Sequence, residues 1–77
     1  MNPIPTDKIG EAVVNRREAL GMSGGELSRR SGIDRALISR WENGKWADMK
    51  ISTLQKLADA LDWTPVELLR HARDLTE

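Results

Sequence analysis

The sequence predicts an all-α protein: a compact unit of five short helices whose second and third members form a helix-turn-helix. Three observations predict it. Apolar residues recur at three- and four-residue spacing along the chain, and no stretch alternates convincingly as a half-buried strand does. Tyr and Phe, both strand-favouring, are absent. Cap residues and glycine stops recur every eight to fifteen residues, which leaves room only for short helices with tight connections.

The elements follow in order. Residues 1–5 read as a loose arm, because prolines at positions 3 and 5 discourage helix. Thr6 or Asp7 is expected to cap a first helix running to about Leu20 and ending at Gly21. Ile9, Val13 and Leu20 fall near one face of it. Arg16 and Arg17 suit the negative end of its dipole. Gly10 reads as a slight weakness in its first turn. Ser23-x-x-Glu26 has the form of a capping box, with Met22 and Leu27 placed for a hydrophobic staple. The second helix is expected over about 24–31, stopping at Gly32, although Gly24 and Gly25 are poor helix formers. Leu27 faces the core, Ile33 is buried in the link, and Arg29 and Arg30 look outward, as a solvated face or as phosphate contacts.

Asp34 caps the third helix, and Asn43 and Gly44 end it. Ile38 and Trp41 share a face, three residues apart. Arg35 and Ser39 point elsewhere, with Ala36 and Arg40 beside them. One side is therefore apolar and the other cationic and hydrogen-bonding, a form that a major groove accepts. Leu37 either packs under this helix or touches a thymine methyl or a protein. In the following loop, Trp46 either covers the fourth helix or is a contact anchor for a partner or for backbone sugar. Asp48 is expected to cap that fourth helix, which Ile51, Leu54, Leu57, Ala58 and Leu61 carry to about residue 61. Thr64-Pro65-Val66-Glu67 is a second capping box with proline at the first helical position, and Trp63 and Leu68 can staple it. The fifth helix fades around Arg73. Leu68 and Leu69, with Leu75, either dimerise or complete a small core. His71 is expected to meet the helix dipole or solvent. The domain is thus placed at 6–71, with an N-terminal arm at 1–5 and a C-terminal tail at 72–77.

Composition removes several functions. With 77 residues there is one domain at most. No cysteine means no disulfide scaffold and no thiolate zinc site, and a single histidine cannot build a multi-histidine metal site. No apolar run approaches the ~20 residues of a membrane helix. Residues 1–6 lack the basic and apolar parts of a signal peptide, so a cytoplasmic protein without a membrane partner is the expectation. No phosphate-binding glycine loop follows a strand. An enzyme is not expected, nor a cofactor. Formal net charge is zero, which does not suit binding by bulk electrostatics. The charge is unevenly spread, however. Residues 1–46 hold eight Lys/Arg against six Asp/Glu, and residues 47–77 hold four against six. Arg29, Arg30, Arg35, Arg40 and Lys45 bracket the central stretch, so a neutral chain can still present a positive face.

Several motifs together resemble one family. They are Arg17-x-x-Leu20-Gly21-Met22-Ser23, Glu26-Leu27, Ser31-Gly32-Ile33 and, most specifically, Ile38-Ser39-Arg40-Trp41-Glu42-Asn43-Gly44-Lys45. Leu54-x-x-Leu57-Ala58-x-x-Leu61 and Thr64-Pro65-x-x-Leu68-Leu69 follow. This pattern, over roughly 9–69, resembles the lambda-repressor-like DNA-binding domains, the Cro/C1-type (XRE-type) helix-turn-helix family. The resemblance implies a third helix lying in the major groove of double-stranded DNA, with Arg35, Ala36, Ser39 and Arg40 at the bases. It implies phosphate contacts from Ser23, Gly24, Asn43 and Lys45. It also implies a structural pair, Arg17 with Glu42, that fixes the third helix on the first. No second carboxylate is placed beside Glu42, so a catalytic role for it is not implied. The chain departs from the family at Gly24, where many members carry a glutamine that contacts phosphate and braces the recognition helix. It departs again at Ser28 and Ser31, where small-apolar and apolar residues are usual, so packing there is expected to be thinner.

Two function classes follow from the resemblance. The first is a small, dimeric, sequence-specific transcriptional regulator, most simply a repressor, bacterial or phage-encoded and associated with the nucleoid when bound. The second is a protein-interaction module, or the antitoxin of a toxin–antitoxin pair, on the same fold. Convergence of Arg35, Arg40, Lys45 and the Gly24 amide on one face favours DNA. A contiguous exposed patch of Leu37 and Trp46 favours a protein partner.

Overall fold

The computed structural model describes residues 6–45 and 49–75. Among them five helices follow one another: α1 (Thr6–Ala19), α2 (Gly24–Ser31), α3 (Arg35–Glu42), α4 (Ile51–Ala60) and α5 (Pro65–Asp74). The all-α five-helix architecture and the α2–α3 helix-turn-helix are as the sequence predicts. The arm at 1–5, Trp46, Asp48 and residues 76–77 lie outside the described residues, as do the side chains of Thr6 and Asp7.

Helix ends follow local chemistry. Ser23 Oγ accepts the Glu26 amide at 3.1 Å, Asp34 Oδ1 accepts the Ala36 amide at 3.1 Å, and Thr64 Oγ1 accepts the Glu67 amide at 3.2 Å. The box at Thr64 is complete, since Glu67 Oε1 accepts the Thr64 amide at 3.1 Å. The box expected at Ser23 is only half formed. Glu26 reaches one turn forward to Arg30 Nη2 at 3.0 Å, as (i, i+4) neighbours of opposite charge do. The expected cap of α4 also changes: the N-cap position is Lys50, with no side-chain cap, and the helix starts at Ile51. Chain reversals after α1 and α3 place Gly21 and Gly44 at φ 68° and 76°, where glycine is the low-cost residue. The same turn after α4 is made by Asp62 at φ 56°.

The core is continuous through all five helices. Ile9, Val13, Met22, Leu27, Ile33, Ile38, Trp41, Leu57, Leu61 and Leu68 are buried in it, with Ala12, Ala58 and Ala72 filling the closest approaches. Each large side chain so buried contributes about 1.5–3 kcal/mol. Leu68 belongs to this core, and Leu69 and Leu75 lie half-buried against it. Leu20 does not join it. The helix ends one residue earlier, and Leu20 remains 38% exposed while Met22 is buried. α1 packs on α3 and α5, and α2 packs on α3 and α4.

Two features of the packing were not visible in the pattern. Gly10 is buried where α1 crosses the end of α3; a β-carbon there would lie 1.8 Å from the Trp41 carbonyl oxygen. It is a close-approach glycine and not merely a weak helix former. His71 remains exposed to solvent, as expected, and in addition stacks on Trp63, with ring centroids 4.4 Å apart. Arg16 lies over the Trp63 ring at 5.0 Å and donates to the Leu61 carbonyl at 2.9 Å, tying α1 to the α4–α5 turn. Among the described residues no helix is long and apolar enough to cross a membrane.

Candidate nucleic-acid interface

The amphipathic split of α3 builds the site. Ile38 and Trp41 are buried, and Leu37 is half-buried against the core, while Arg35, Ala36 and Arg40 are exposed and Ser39 is half-exposed. Positions 35 and 39, and 36 and 40, are one turn apart, so these four share the outward side. Leu37 therefore follows the packing alternative.

The connection to α2 fixes where that side points. The turn is Gly32-Ile33-Asp34, with Gly32 in the left-handed region at φ 73° and Ile33 buried. Ser28 Oγ donates to the Ile33 carbonyl at 2.5 Å, and the Ile33 amide donates to Ser31 Oγ at 3.2 Å. Ser31 Oγ in turn donates to the Ser28 carbonyl at 3.4 Å. The thinner packing expected at Ser28 and Ser31 is thus offset by hydrogen bonds that tie down both backbone groups of Ile33. The signal in the sequence was their spacing to a turn, since serine hydroxyls bond local backbone readily.

The far end of α3 is held to α1. Arg17 Nε donates to Glu42 Oε2 at 3.0 Å and Nη2 to Oε1 at 3.4 Å, while Nη1 donates to the Met22 carbonyl at 3.0 Å. The two side chains are only 18% and 12% exposed, so solvent screens this pair less than a surface ion pair. One guanidinium thereby joins α1, the α1–α2 turn and the last turn of α3.

The residues assigned to phosphate lie at the flanks. Ser23 is exposed at the start of α2; its oxygen accepts the Glu26 amide, which leaves its hydroxyl proton to donate. Gly24 carries the Arg35 guanidinium over its backbone, and Arg29 Nη1 would lie 3.6 Å from a β-carbon on Gly25. Two cationic groups therefore flank the positive end of the α2 dipole. Asn43 Nδ2 turns back onto α3, donating to the Ser39 carbonyl at 2.8 Å and lying 3.4 Å from Ser39 Oγ. Lys45 is exposed just beyond, its amide donating to the Arg40 carbonyl at 2.8 Å. The structure thus brings Arg35 onto Gly24, and leaves Arg40 and Lys45 exposed at the other end of α3.

No group of three or more His, Asp or Glu side chains among the described residues is arranged to hold a metal ion. Away from α3, a shallow groove of about 240 Å³ runs between Val66, Leu69, Arg70 and Arg73 on α5. It carries none of the acid–base pairs that hydrolytic or transfer chemistry requires.

A sequence profile of the Cro/C1-type HTH DNA-binding domain matches residues 15–74. The chain belongs to this family. A 53-residue stretch, 69% of the chain, is 40% identical to YozG of Bacillus subtilis, an uncharacterized HTH-type transcriptional regulator, and spans 63% of that protein. The restriction-modification controller protein C.AhdI from Aeromonas hydrophila is 36% identical and superimposes with a TM-score of 0.73, over 79% of this chain and 91% of its own. The clp gene regulator ClgR from Corynebacterium glutamicum shares the fold at 21% identity, with a TM-score of 0.84 over 97% of this chain and 79% of that one. The matched residues are thus a Cro/C1-type HTH DNA-binding domain, and the five helices are those of the lambda-repressor-like fold.

Proposed function

We propose that this Cro/C1-type domain is a sequence-specific regulator that binds double-stranded DNA as a two-fold dimer, with α3 in the major groove. The observation that carries the reading is the division of α3. Its apolar side is locked into the core and braced by Arg17 and Glu42, and Arg35, Ala36, Ser39 and Arg40 stand on the other side. A rigid helix presenting arginines suits base edges, because a bidentate arginine–guanine pair contributes about 1–3 kcal/mol of discrimination. Ala36 offers a methyl to thymine. Ser23, the Gly24 amide, Asn43 and Lys45 position the helix on the phosphates. The zero net charge makes these local contacts, and not bulk attraction, the source of affinity.

Repression by occupying an operator is the simplest mechanism, in the cytoplasm and without a cofactor. The similarity to a restriction-modification controller and to an HTH-type transcriptional regulator supports a regulatory role. Leu37 packs on the core, which removes an apolar contact from the surface on which a protein-docking or antitoxin role would draw.

The test is a comparison of Arg40→Ala with Lys45→Ala on duplexes that differ at single base pairs. Arg40→Ala should relax the preference at one base pair. Lys45→Ala should weaken binding to every duplex and reduce the salt slope by about 1. Equal losses on every duplex from both changes would refute the assigned roles.

A further inference from the structure

The first residue of α2 is a glycine against which a guanidinium lies. A β-carbon on Gly24 would sit 2.6 Å from Arg35 Cζ, 2.8 Å from Nη2 and 2.9 Å from Nη1. Three nearly equal distances describe a point above the face of a planar group. Real β-carbons essentially never come within 3.0 Å of another heavy atom in this way. The guanidinium of Arg35 therefore rests face-down in space that any other residue at position 24 would fill. Gly24 is buried accordingly. Such a contact leaves the in-plane N–H donors of Arg35 free to point away from the protein. Among the described residues, no carboxylate forms an ion pair with the Arg35 guanidinium.

Backbone conformation does not require this glycine. Gly24 lies within a helix and its φ is not positive, and glycine is the poorest helix former after proline. Its neighbour Gly25 has ordinary room, with the nearest atom to a β-carbon, Arg29 Nη1, 3.6 Å away. The close approach is confined to position 24.

We propose that Gly24 is a specificity-determining position that acts through Arg35: its missing side chain sets where the first guanidinium of the recognition helix presents its donors to DNA. This rests on the reading of α3 as the base-reading helix. The group in the way of a β-carbon is the end of a flexible side chain, so a methyl displaces Arg35 without disturbing the backbone. A displaced guanidinium loses register with the paired acceptors of a base edge, since bidentate pairing needs both N–H groups placed at once. Gly24→Ala keeps its own amide, so any phosphate contact from that amide survives.

Four full-length proteins test this: wild type, G24A, R35A and G24A/R35A, each selected against a random duplex library and titrated on single-base-pair variants. R35A should relax the preference at one base pair by about 5- to 150-fold, the range of a bidentate arginine–guanine pair. G24A should relax that same base pair by about fivefold or more. The double variant should match R35A alone, and the melting temperature of G24A should not fall below wild type. In the free wild-type protein, a nuclear Overhauser contact should join the Gly24 α-protons to the Arg35 side chain. Unchanged base preference in G24A, effects of G24A and R35A that multiply, or a missing Overhauser contact would each overturn the proposal. A wild-type chain that shows the Overhauser contact but enriches no sequence would instead refute the base-reading role, and the specificity role of Gly24 with it.

Discussion

Gly10→Ala places a methyl where α1 touches the backbone of α3. The new carbon would begin 1.8 Å from the Trp41 carbonyl oxygen, 2.6 Å from its carbon and 3.2 Å from Glu42 Cα, and it must reach at least 3.0 Å. All three neighbours are backbone atoms, so no rotamer change relieves the contact. The two helices must part, and the Arg17–Glu42 pair that spans them must stretch. Overpacking costs about 1–3 kcal/mol, and a contact this rigid belongs at the upper end. Against it, alanine is the better helix former by about 1 kcal/mol. The net loss is about 2 kcal/mol, which for a domain of this size lowers the melting temperature by roughly 8–16 °C. Thermal and urea unfolding followed by circular dichroism measure it. Because α3 is displaced with its end, DNA affinity should fall further than the unfolded fraction alone explains. A Gly10→Ala protein as stable as wild type would refute the idea that this glycine sets the α1–α3 spacing.

Other substitutions separate the remaining interactions. Gly25→Ala meets only ordinary contacts at 3.6 and 3.9 Å, so it should stabilise the protein by about 0.4–1 kcal/mol, read as a higher melting temperature. Glu42→Ala leaves the sheltered Arg17 Nε without its acceptor and should cost about 1.5–3 kcal/mol in urea denaturation. Arg17→Ala should cost more, because it also releases the Met22 carbonyl. The Thr64 amide, and then its hydroxyl, hold the Glu67 carboxyl below its ordinary 4.5. A lowered folded value means that this contribution is complete above the ordinary value and is lost as pH falls through the folded one. Melting temperatures taken from pH 6 downward, below about 4.5, should therefore drop more in wild type than in Glu67→Gln, which keeps the cap but does not titrate.

Much of the fold was legible because its signals are local. Caps at Ser23, Asp34 and Thr64 and stops at Gly21, Gly32 and Gly44 depend on a few neighbouring residues, and they mark helix boundaries to within about two residues. The buried face of α3 followed from the spacing of Ile38 and Trp41. What escaped depends on residues distant in the chain. Gly10 looks like any weak helix residue until α3 is laid across it. Ser28 and Ser31 look like poor packing until the Ile33 backbone turns toward them. Gly24 looks like a lost side chain until Arg35 fills its place. His71 looks merely solvated until the Trp63 ring, eight residues back and just before the cap of α5, lies against it. The start of α4 escaped for a different reason: Asp48 has the chemistry of a cap, but the helix begins three residues later.

The most direct test of α3 as a base-reading helix is selection from a random duplex library by the wild-type chain at two salt concentrations, with enriched sites titrated by fluorescence anisotropy. A reading helix in a two-fold dimer predicts a palindrome whose half-sites lie about one helical turn apart, with a preference over random duplex that survives the higher salt. Recovery of no sequence at either concentration, with only weak binding that collapses as salt rises, would contradict it.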